Sequence, residues 1–196
     1  MADNVDDTEL EPRITPLGDD ELSEDAMEMA TKLRANFGLA TDALPDAVAT
    51  MLRHPDLYRA QIEYVTQRAK ALVLAPRDLE IMILRTAWLC QSAYTWGEHV
   101  NFGKKAGLTS EEIEWLTQGS SAPGWNERER AIVRLAEELH ANCRTSDETW
   151  SVIEQHFSDK EIIELLMMAG FYREVAYLYN SMRVRLIPGN PGLSAR

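Results

Sequence analysis

Cysteine and positive charge are both scarce in this sequence, and each shortage argues against a class of protein. The 196 residues contain 2 cysteines, Cys90 and Cys143, which are too few for the disulfide framework of a small secreted domain. Lysine and arginine number 20 against 32 aspartates and glutamates, so the formal net charge is -12. Because nucleic-acid binding depends on clustered lysine and arginine, we expect no nucleic-acid partner.

Long apolar runs are also absent. No run approaches the roughly 18 residues that a membrane span requires, and the acidic start lacks the basic and then apolar pattern of a secretory signal. We therefore expect a cytoplasmic protein with no membrane partner. A hydrophobic fraction of 45% and a charged fraction of 27% are typical of a folded globular chain.

The composition changes along the chain and predicts three segments. Residues 1–19 are rich in aspartate and glutamate, which favours a disordered acidic segment. Residues 20–187 are expected to form a single helical domain. Residues 188–196 contain two prolines and two glycines, which interrupt helices, and are expected to form a mobile tail.

The main part of the chain has the periodicity of an all-α protein. From Asp20 onward, apolar residues recur at spacings of three and four, and no convincing alternating strand is present. Pro55 and Pro76 suit the first turns of helices, and the strongly apolar stretch from Pro76 to Cys90 predicts a central, buried helix. A first predicted helix ends near Gly38. Further helices are predicted over about residues 45–53, 55–74, 93–106 and 159–186.

Hydroxyl residues followed three positions later by glutamate predict capping boxes at three helix starts. These pairs are Thr109 with Glu112, Thr145 with Glu148, and Ser158 with Glu161. The last helix is apolar over so wide a surface that burial by a neighbouring subunit is expected.

The strongest candidate catalytic residues include several on one side of a predicted helix. Ser92, Thr95, Trp96 and His99 lie on nearly the same side of one helix, because separations of three, four and seven residues return to that side. Glu80 of the preceding helix can reach His99 if the two helices pack antiparallel or form a kinked pair. Such a pair can transfer protons, since imidazole titrates closest to neutral pH. Spacing alone favours a purely structural role, in which His99 completes a hydrogen bond in the core and Glu80 satisfies a helix start.

Arg85 and the aromatic side chains near these residues have two interpretations each. A buried Arg85 would suit a substrate carboxylate, whereas an exposed one would be a surface ion. Tyr94 and Trp96 belong either to the core or to the wall of a substrate pocket. No metal is expected, because the four histidines lack metal-binding spacing.

Three short stretches carry a resemblance to a known family. They read EIMILRTAW from Glu80, SAYTWGEH from Ser92 and AGL from Ala106. This pattern resembles the carboxymuconolactone decarboxylase and alkylhydroperoxidase D-like family over about residues 55–187, most specifically over residues 77–116. The resemblance implies a single-domain, multi-helix bundle that assembles into homotrimers or homohexamers.

The resemblance also suggests which branch of the family this sequence follows. The peroxidase branch has a glutamate, a Cys-x-x-Cys pair and a histidine at the positions of Glu80, Ser92, Thr95 and His99. Here both sulfurs are replaced by hydroxyls, which cannot perform the thiol redox cycle of peroxide reduction. The decarboxylase branch lacks this redox pair and resembles the sequence better.

What the decarboxylase branch implies is a lyase or isomerase that needs no cofactor. Glu80 and His99 would transfer protons on a small carboxylated lactone or cyclic carbonyl compound, so the expected partner is an organic acid or lactone. The residues expected to bind this substrate are Arg85, Ser92, Tyr94, Thr95 and Trp96. Two other functions stay open at this stage. One is a non-catalytic oligomeric scaffold or binder, and the other, which is disfavoured, is a thiol peroxidase that uses Cys90.

Overall fold

The computed structural model describes residues 10–37 and 44–196, and this part of the chain is all-α, which confirms the predicted fold class. The described residues contain no strand. Their helices are α1 (Glu24–Phe37), α2 (Asp46–Met51), α3 (Pro55–Ala71), α4 (Pro76–Leu89), α5 (Ala93–Lys105), α6 (Ser110–Gln118), α7 (Glu127–Asn142), α8 (Asp147–His156) and α9 (Asp159–Met182). The predicted end of the first helix at Gly38 lies outside the described residues.

The chain divides into two compact units. The first unit comprises residues 1–72 and 179–188, and the second comprises residues 73–178 and 189–196. In the first unit, α1 and α3 pack together around a small core that includes Ala30, Leu33 and Leu52. All of the candidate site residues lie in the second unit.

The second unit is built around α4. This helix is apolar on most sides and contacts α5, α6 and α7, and every residue from Glu80 to Ala87 is buried. Ile81 and Leu84 are fully buried there, together with Ile132 of α7 and Leu165 of α9. Because α4 is surrounded, residues on its different sides face different neighbouring helices.

Prolines and capping residues begin these helices much as the sequence predicts. Pro55 and Pro76 occupy first turns. Thr109 Oγ1 accepts a hydrogen bond from the Glu112 N–H at 3.2 Å, and the Glu112 carboxylate accepts one from the Thr109 N–H at 2.8 Å. This reciprocal arrangement is the predicted capping box, and it satisfies amide groups that a helix start otherwise leaves unpaired.

The predicted capping box at Thr145 is wrong by one residue. The cap of α8 is Ser146, whose hydroxyl accepts a hydrogen bond from the Thr149 N–H at 3.2 Å. Glu138 of α7 accepts a further bond from the Ser146 N–H at 2.7 Å. The capping residue is therefore Ser146, which also contacts α7. The spacing of hydroxyl residues in the sequence did not indicate this contact between helices.

The third predicted capping box, formed by Ser158 and Glu161, makes the stability of the fold depend on pH. Glu161 accepts hydrogen bonds from the backbone N–H and the hydroxyl of Ser158, each at 2.8 Å, and these bonds hold the pKa of Glu161 below its ordinary value of 4.5. Because the folded pKa is the lower one, ionised Glu161 stabilises the fold above the unfolded value, and this contribution is lost as the pH falls through the folded pKa.

Urea denaturation across acidic pH tests this effect. We expect the free energy of unfolding to fall between about pH 5 and about pH 3, and to fall less steeply in Glu161→Gln. Glu154→Gln, which changes an exposed glutamate on α8, should keep the wild-type slope. Equal slopes for wild type and Glu161→Gln would show that the capping carboxylate does not contribute.

Part of the segment predicted to be disordered is in contact with the first unit. Residues 1–9 lie outside the described residues. From residue 10 onward, the Arg13 N–H donates to the Met182 carbonyl at 2.9 Å, and the Leu17 N–H donates to the Ala49 carbonyl at 3.4 Å. Backbone hydrogen bonds therefore hold residues 10–19 in place despite their acidic composition.

The C-terminal segment, predicted to be a mobile tail, packs on α5. Asn190 Nδ2 donates to the Tyr94 carbonyl and to the Glu98 carboxylate, each at 3.0 Å, and a short 3₁₀ turn follows at Gly192–Ser194. Gly97 makes this approach possible, because a Cβ atom there would overlap the Asn190 side chain. Apart from this short turn, proline and glycine interrupt helical structure in the segment as predicted, and its mobility stays a prediction.

α9 is apolar around much of its circumference. Its exposed large apolar side chains include those of Ile163, Met167 and Tyr177. In the part of the chain that the structure describes, no helix combines the length and the apolar character needed to cross a membrane. The subunit contact that the sequence predicts for this surface stays a prediction.

Candidate active site

A tight turn folds α5 back beside α4. Gln91 adopts a left-handed conformation with φ of 51°, and the Ser92 N–H donates to the Ala87 carbonyl at 2.9 Å. The reversal brings one carboxylate to one imidazole, with 2.9 Å between Glu80 Oε2 and His99 Nδ1. The structure therefore shows the contact that the sequence only permitted.

The surroundings of this pair are largely closed to water. The side chain of Glu80 is 10% exposed and that of His99 is 15% exposed. The edge of the Tyr172 ring from α9 meets His99 with 4.9 Å between ring centroids, and Phe102 lies on another side with 5.4 Å between centroids. In such a site, charges interact more strongly than in water.

The hydrogen bond also assigns roles to the two ring nitrogens of His99. With Glu80 ionised, the carboxylate can only accept, and Nδ1 of His99 is then the donor in the bond between them. The neutral ring then has its basic lone pair on Nε2, which can take up a proton from a substrate and later return it. The carboxylate stabilises the imidazolium formed in between.

Two hydroxyls occupy the positions that the resemblance assigned to sulfur. Ser92 Oγ donates to Thr95 Oγ1 at 3.0 Å, and both side chains are buried. Thr95 lies one helical turn before His99 on the same side of α5. These two positions therefore carry hydroxyls that hydrogen-bond to each other.

Arg85 is buried, as its proposed role requires, but its guanidinium belongs to another cluster. Nη1 donates to the Leu116 carbonyl at 2.7 Å, and Nη2 donates to Glu137 Oε1 at 2.9 Å. Burial lowers the pKa of Arg85, and the charge of Glu137 acts in the opposite direction. Because Arg85 follows Glu80 by five residues, it lies about 140° away around the helix. Substrate binding by Arg85 stays a prediction, and these contacts do not bring it to Glu80.

The two aromatic candidates differ in exposure. The Trp96 indole is 0% exposed and packs against Trp88 with 4.9 Å between ring centroids, so it is part of the core. Tyr94 is half-buried. Sequence reasoning did not connect Tyr172 with His99, because α9 is distant in the chain and helical periodicity carries no information on contacts between distant helices.

The match to a family covers this site. Residues 55–138 match the carboxymuconolactone decarboxylase family model. The resemblance seen in the sequence is thereby confirmed, and the matched segment contains α4, α5 and α6 and both members of the Glu80–His99 pair. Among curated proteins, none matches this chain.

Solved structures share the fold at low sequence identity. A peroxidase-related protein of Ralstonia eutropha with an alkylhydroperoxidase core has a TM-score of 0.71 and 16% identity over 91% of this chain and 95% of its own. A peroxidase-related protein of a Silicibacter species has a TM-score of 0.74 and 12% identity over 93% and 97%. The debrominase Bmp8, solved with 2,3,4-tribromopyrrole, has a TM-score of 0.68 and 16% identity over 89% and 91%. These likenesses establish an alkylhydroperoxidase D-like fold.

Within residues 10–37 and 44–196, no group of three or more histidine, cysteine, aspartate or glutamate side chains is placed to hold a metal ion. The Glu80–His99 pair places one carboxylate and one imidazole in contact, which are groups that can act as acid and base.

Proposed function

We propose that this protein is a carboxymuconolactone decarboxylase-like enzyme, a lyase or isomerase that transfers protons without a cofactor. The observation that carries the proposal is the 2.9 Å contact between Glu80 and His99 in a buried site. The hydroxyls of Ser92 and Thr95 beside it support acid and base chemistry over thiol chemistry.

In the lyase form, the reaction removes carbon dioxide from a carboxylated ring. The bond between the ring carbon and the carboxylate breaks, carbon dioxide leaves, and the electron pair stays on the ring carbon, conjugated with the ring carbonyl. His99 first takes up a proton from solvent at Nε2, and the imidazolium then gives that proton to the ring carbon and returns to the neutral ring. Glu80 stabilises the imidazolium before the transfer. In the isomerase form, the same pair removes a proton from one carbon and returns it to another.

The substrate class is inferred from the negative charge that a proton-transfer site has to stabilise. A carbonyl in the ring is needed to delocalise the electron pair, which favours a small carboxylated lactone or cyclic carbonyl compound. The complex of Bmp8 with a brominated pyrrole supports the view that this fold can accept a small ring. The exposed apolar side chains of α9 support assembly into a homotrimer or homohexamer.

The thiol peroxidase alternative has a physical argument against it. Burial raises the pKa of the Cys90 thiol, so less of it is present as the thiolate that attacks peroxide. Peroxide consumption that disappears in Cys90→Ser would support this alternative. A non-catalytic binder would bind small acids without converting them.

A substrate screen tests the proposed function. Purified protein, dialysed against EDTA, is incubated in D₂O with a panel of carboxylated γ-lactones and cyclic 2-oxo acids. We expect carbon dioxide release or double-bond migration for at least one compound, with deuterium incorporated at the ring carbon, measured by NMR. No conversion and no deuterium incorporation across the panel would contradict the proposal.

A further inference from the structure

A cavity of about 220 Å³ lies between α4, α7 and α9, all within the second unit. Thr86 of α4 is one of its lining residues. Thr86 follows Glu80 by six residues and therefore lies about 120° away around the helix. The cavity is thus on a different side of α4 from Glu80 and His99.

The walls of this cavity are mostly apolar. Ala136 and Leu139 of α7 face Leu166 and Ala169 of α9 across it. An apolar protein cavity of about 150 Å³ is large enough to hold benzene. A ligand with one aromatic ring or a comparable branched alkyl group therefore fits the available volume.

The polar groups that line the cavity favour negative charge. They include the guanidinium of Arg173, the imidazole of His140 and the thiol of Cys143, and the described lining residues include no aspartate or glutamate. An anion in this cavity can pair with the guanidinium of Arg173, and no carboxylate among the described lining residues competes for it.

Arg173 is held in place by its own chain. Its Nη1 donates to the Leu139 carbonyl at 3.1 Å and to the His140 carbonyl at 3.0 Å, and its Nε donates to the Tyr177 hydroxyl at 2.6 Å. The hydrogen bond with Tyr177 raises the pKa of Arg173, which keeps the guanidinium charged. A fixed cation binds an anion with less loss of side-chain entropy than a mobile one.

His140, which also lines the cavity, is affected by burial and by nearby arginine charges. Burial lowers the pKa of His140, and the charges of Arg173 and Arg85 lower it further. Its Nδ1 lies 3.7 Å from the sulfur of Cys90, whose own pKa burial raises. Both groups are therefore neutral near pH 7, so Arg173 is the charged group among the described lining residues.

We propose that this cavity is a second binding site, which takes a compact apolar acid with its carboxylate at Arg173 and its ring between α7 and α9. The ligand is held by charge and by burial of its ring, with no covalent step. The site goes beyond the proposed proton-transfer function and does not require it.

Gly170 provides a way to close the cavity without disturbing the fold. It lines the cavity, and a Cβ atom built on it would have no neighbour within 4 Å. A leucine there would extend into open space and also favour the helix, because leucine is a better helix former than glycine. Gly170→Ala is the matched control. It also raises the helix propensity at this position, but it leaves most of the cavity volume open.

Protection of Cys143 from alkylation measures occupancy. Cys143 is exposed and lines the cavity, so a bound ligand should slow its reaction with iodoacetamide, followed by mass spectrometry of the full-length protein. With benzoate as the probe, we expect slower alkylation in wild type and Gly170→Ala and no change in Gly170→Leu. Benzamide, the neutral isostere, should bind at least about tenfold more weakly, as expected for loss of a charge-assisted hydrogen bond.

The outcomes separate this site from the candidate active site. Glu80→Gln should leave benzoate protection unchanged, which would support a second site even if the proton-transfer function failed. Loss of protection in Glu80→Gln, equal protection in Gly170→Leu, or equal binding of benzamide and benzoate would each overturn the proposal.

Discussion

Replacing His99 with alanine, or Glu80 with glutamine, is expected to lower kcat about 10²- to 10⁴-fold on a converted substrate. His99→Ala removes the group that exchanges the proton. Glu80→Gln keeps the shape of the side chain but removes the charge that stabilises the imidazolium 2.9 Å away. Because the two groups act as one unit, the double variant should be little slower than either single variant.

A histidine–glutamate pair elsewhere in the chain provides the control. In this pair, 3.4 Å separates His156 Nε2 from Glu127 Oε2, and the Glu127 side chain is 72% exposed. His156→Ala should leave kcat unchanged, and thermal melting checks that each variant is folded. Full turnover by folded His99→Ala and Glu80→Gln would show that the contact is structural.

The second large effect is on stability, at Trp96. Its indole is fully buried in the second unit, and its Nε1–H donates to the Ala195 carbonyl at 3.1 Å. Trp96→Ala removes this bond and leaves a cavity beneath the C-terminal segment. We expect the free energy of unfolding to fall by about 3–5 kcal/mol, measured by urea denaturation.

Two further tryptophan variants separate the causes of this loss. Trp96→Phe keeps most of the apolar contact but leaves the Ala195 carbonyl without this donor, so it should cost about 1–3 kcal/mol. Trp150→Ala removes an indole that is 40% exposed, so it should cost clearly less than Trp96→Ala. A loss at Trp150 equal to that at Trp96 would contradict the assignment of Trp96 to the core.

Helix starts were predictable where a proline marks the first turn. Pro55 and Pro76 begin α3 and α4 as predicted, because proline at a first turn loses no helical hydrogen bond. α9 ends at Met182, four residues before the predicted end, and Arg183 there takes a left-handed conformation with φ of 55°. That ending has no glycine or proline signal at residue 183, so periodicity alone placed it too late.

The Glu80–His99 contact was accessible to sequence reasoning because the two helices are consecutive. A short turn leaves few arrangements for such helices, and periodicity then limits which side chains can meet. The same reasoning could not place the guanidinium of Arg85. Its partners on α6 and α7 are a carbonyl of Leu116 and the carboxylate of Glu137, and neither follows from local spacing.

By itself, the sequence determined the helical class, most helix starts and the replacement of two sulfurs by hydroxyls, since these depend on residue identity and short-range spacing. Tertiary structure alone decided that Arg85 joins α6 and α7, that Asn190 attaches the C-terminal segment to α5, and that His140 and Arg173 share a cavity. Each of these contacts joins residues far apart in the chain. Their proximity arises from how the helices pack, which local periodicity does not encode.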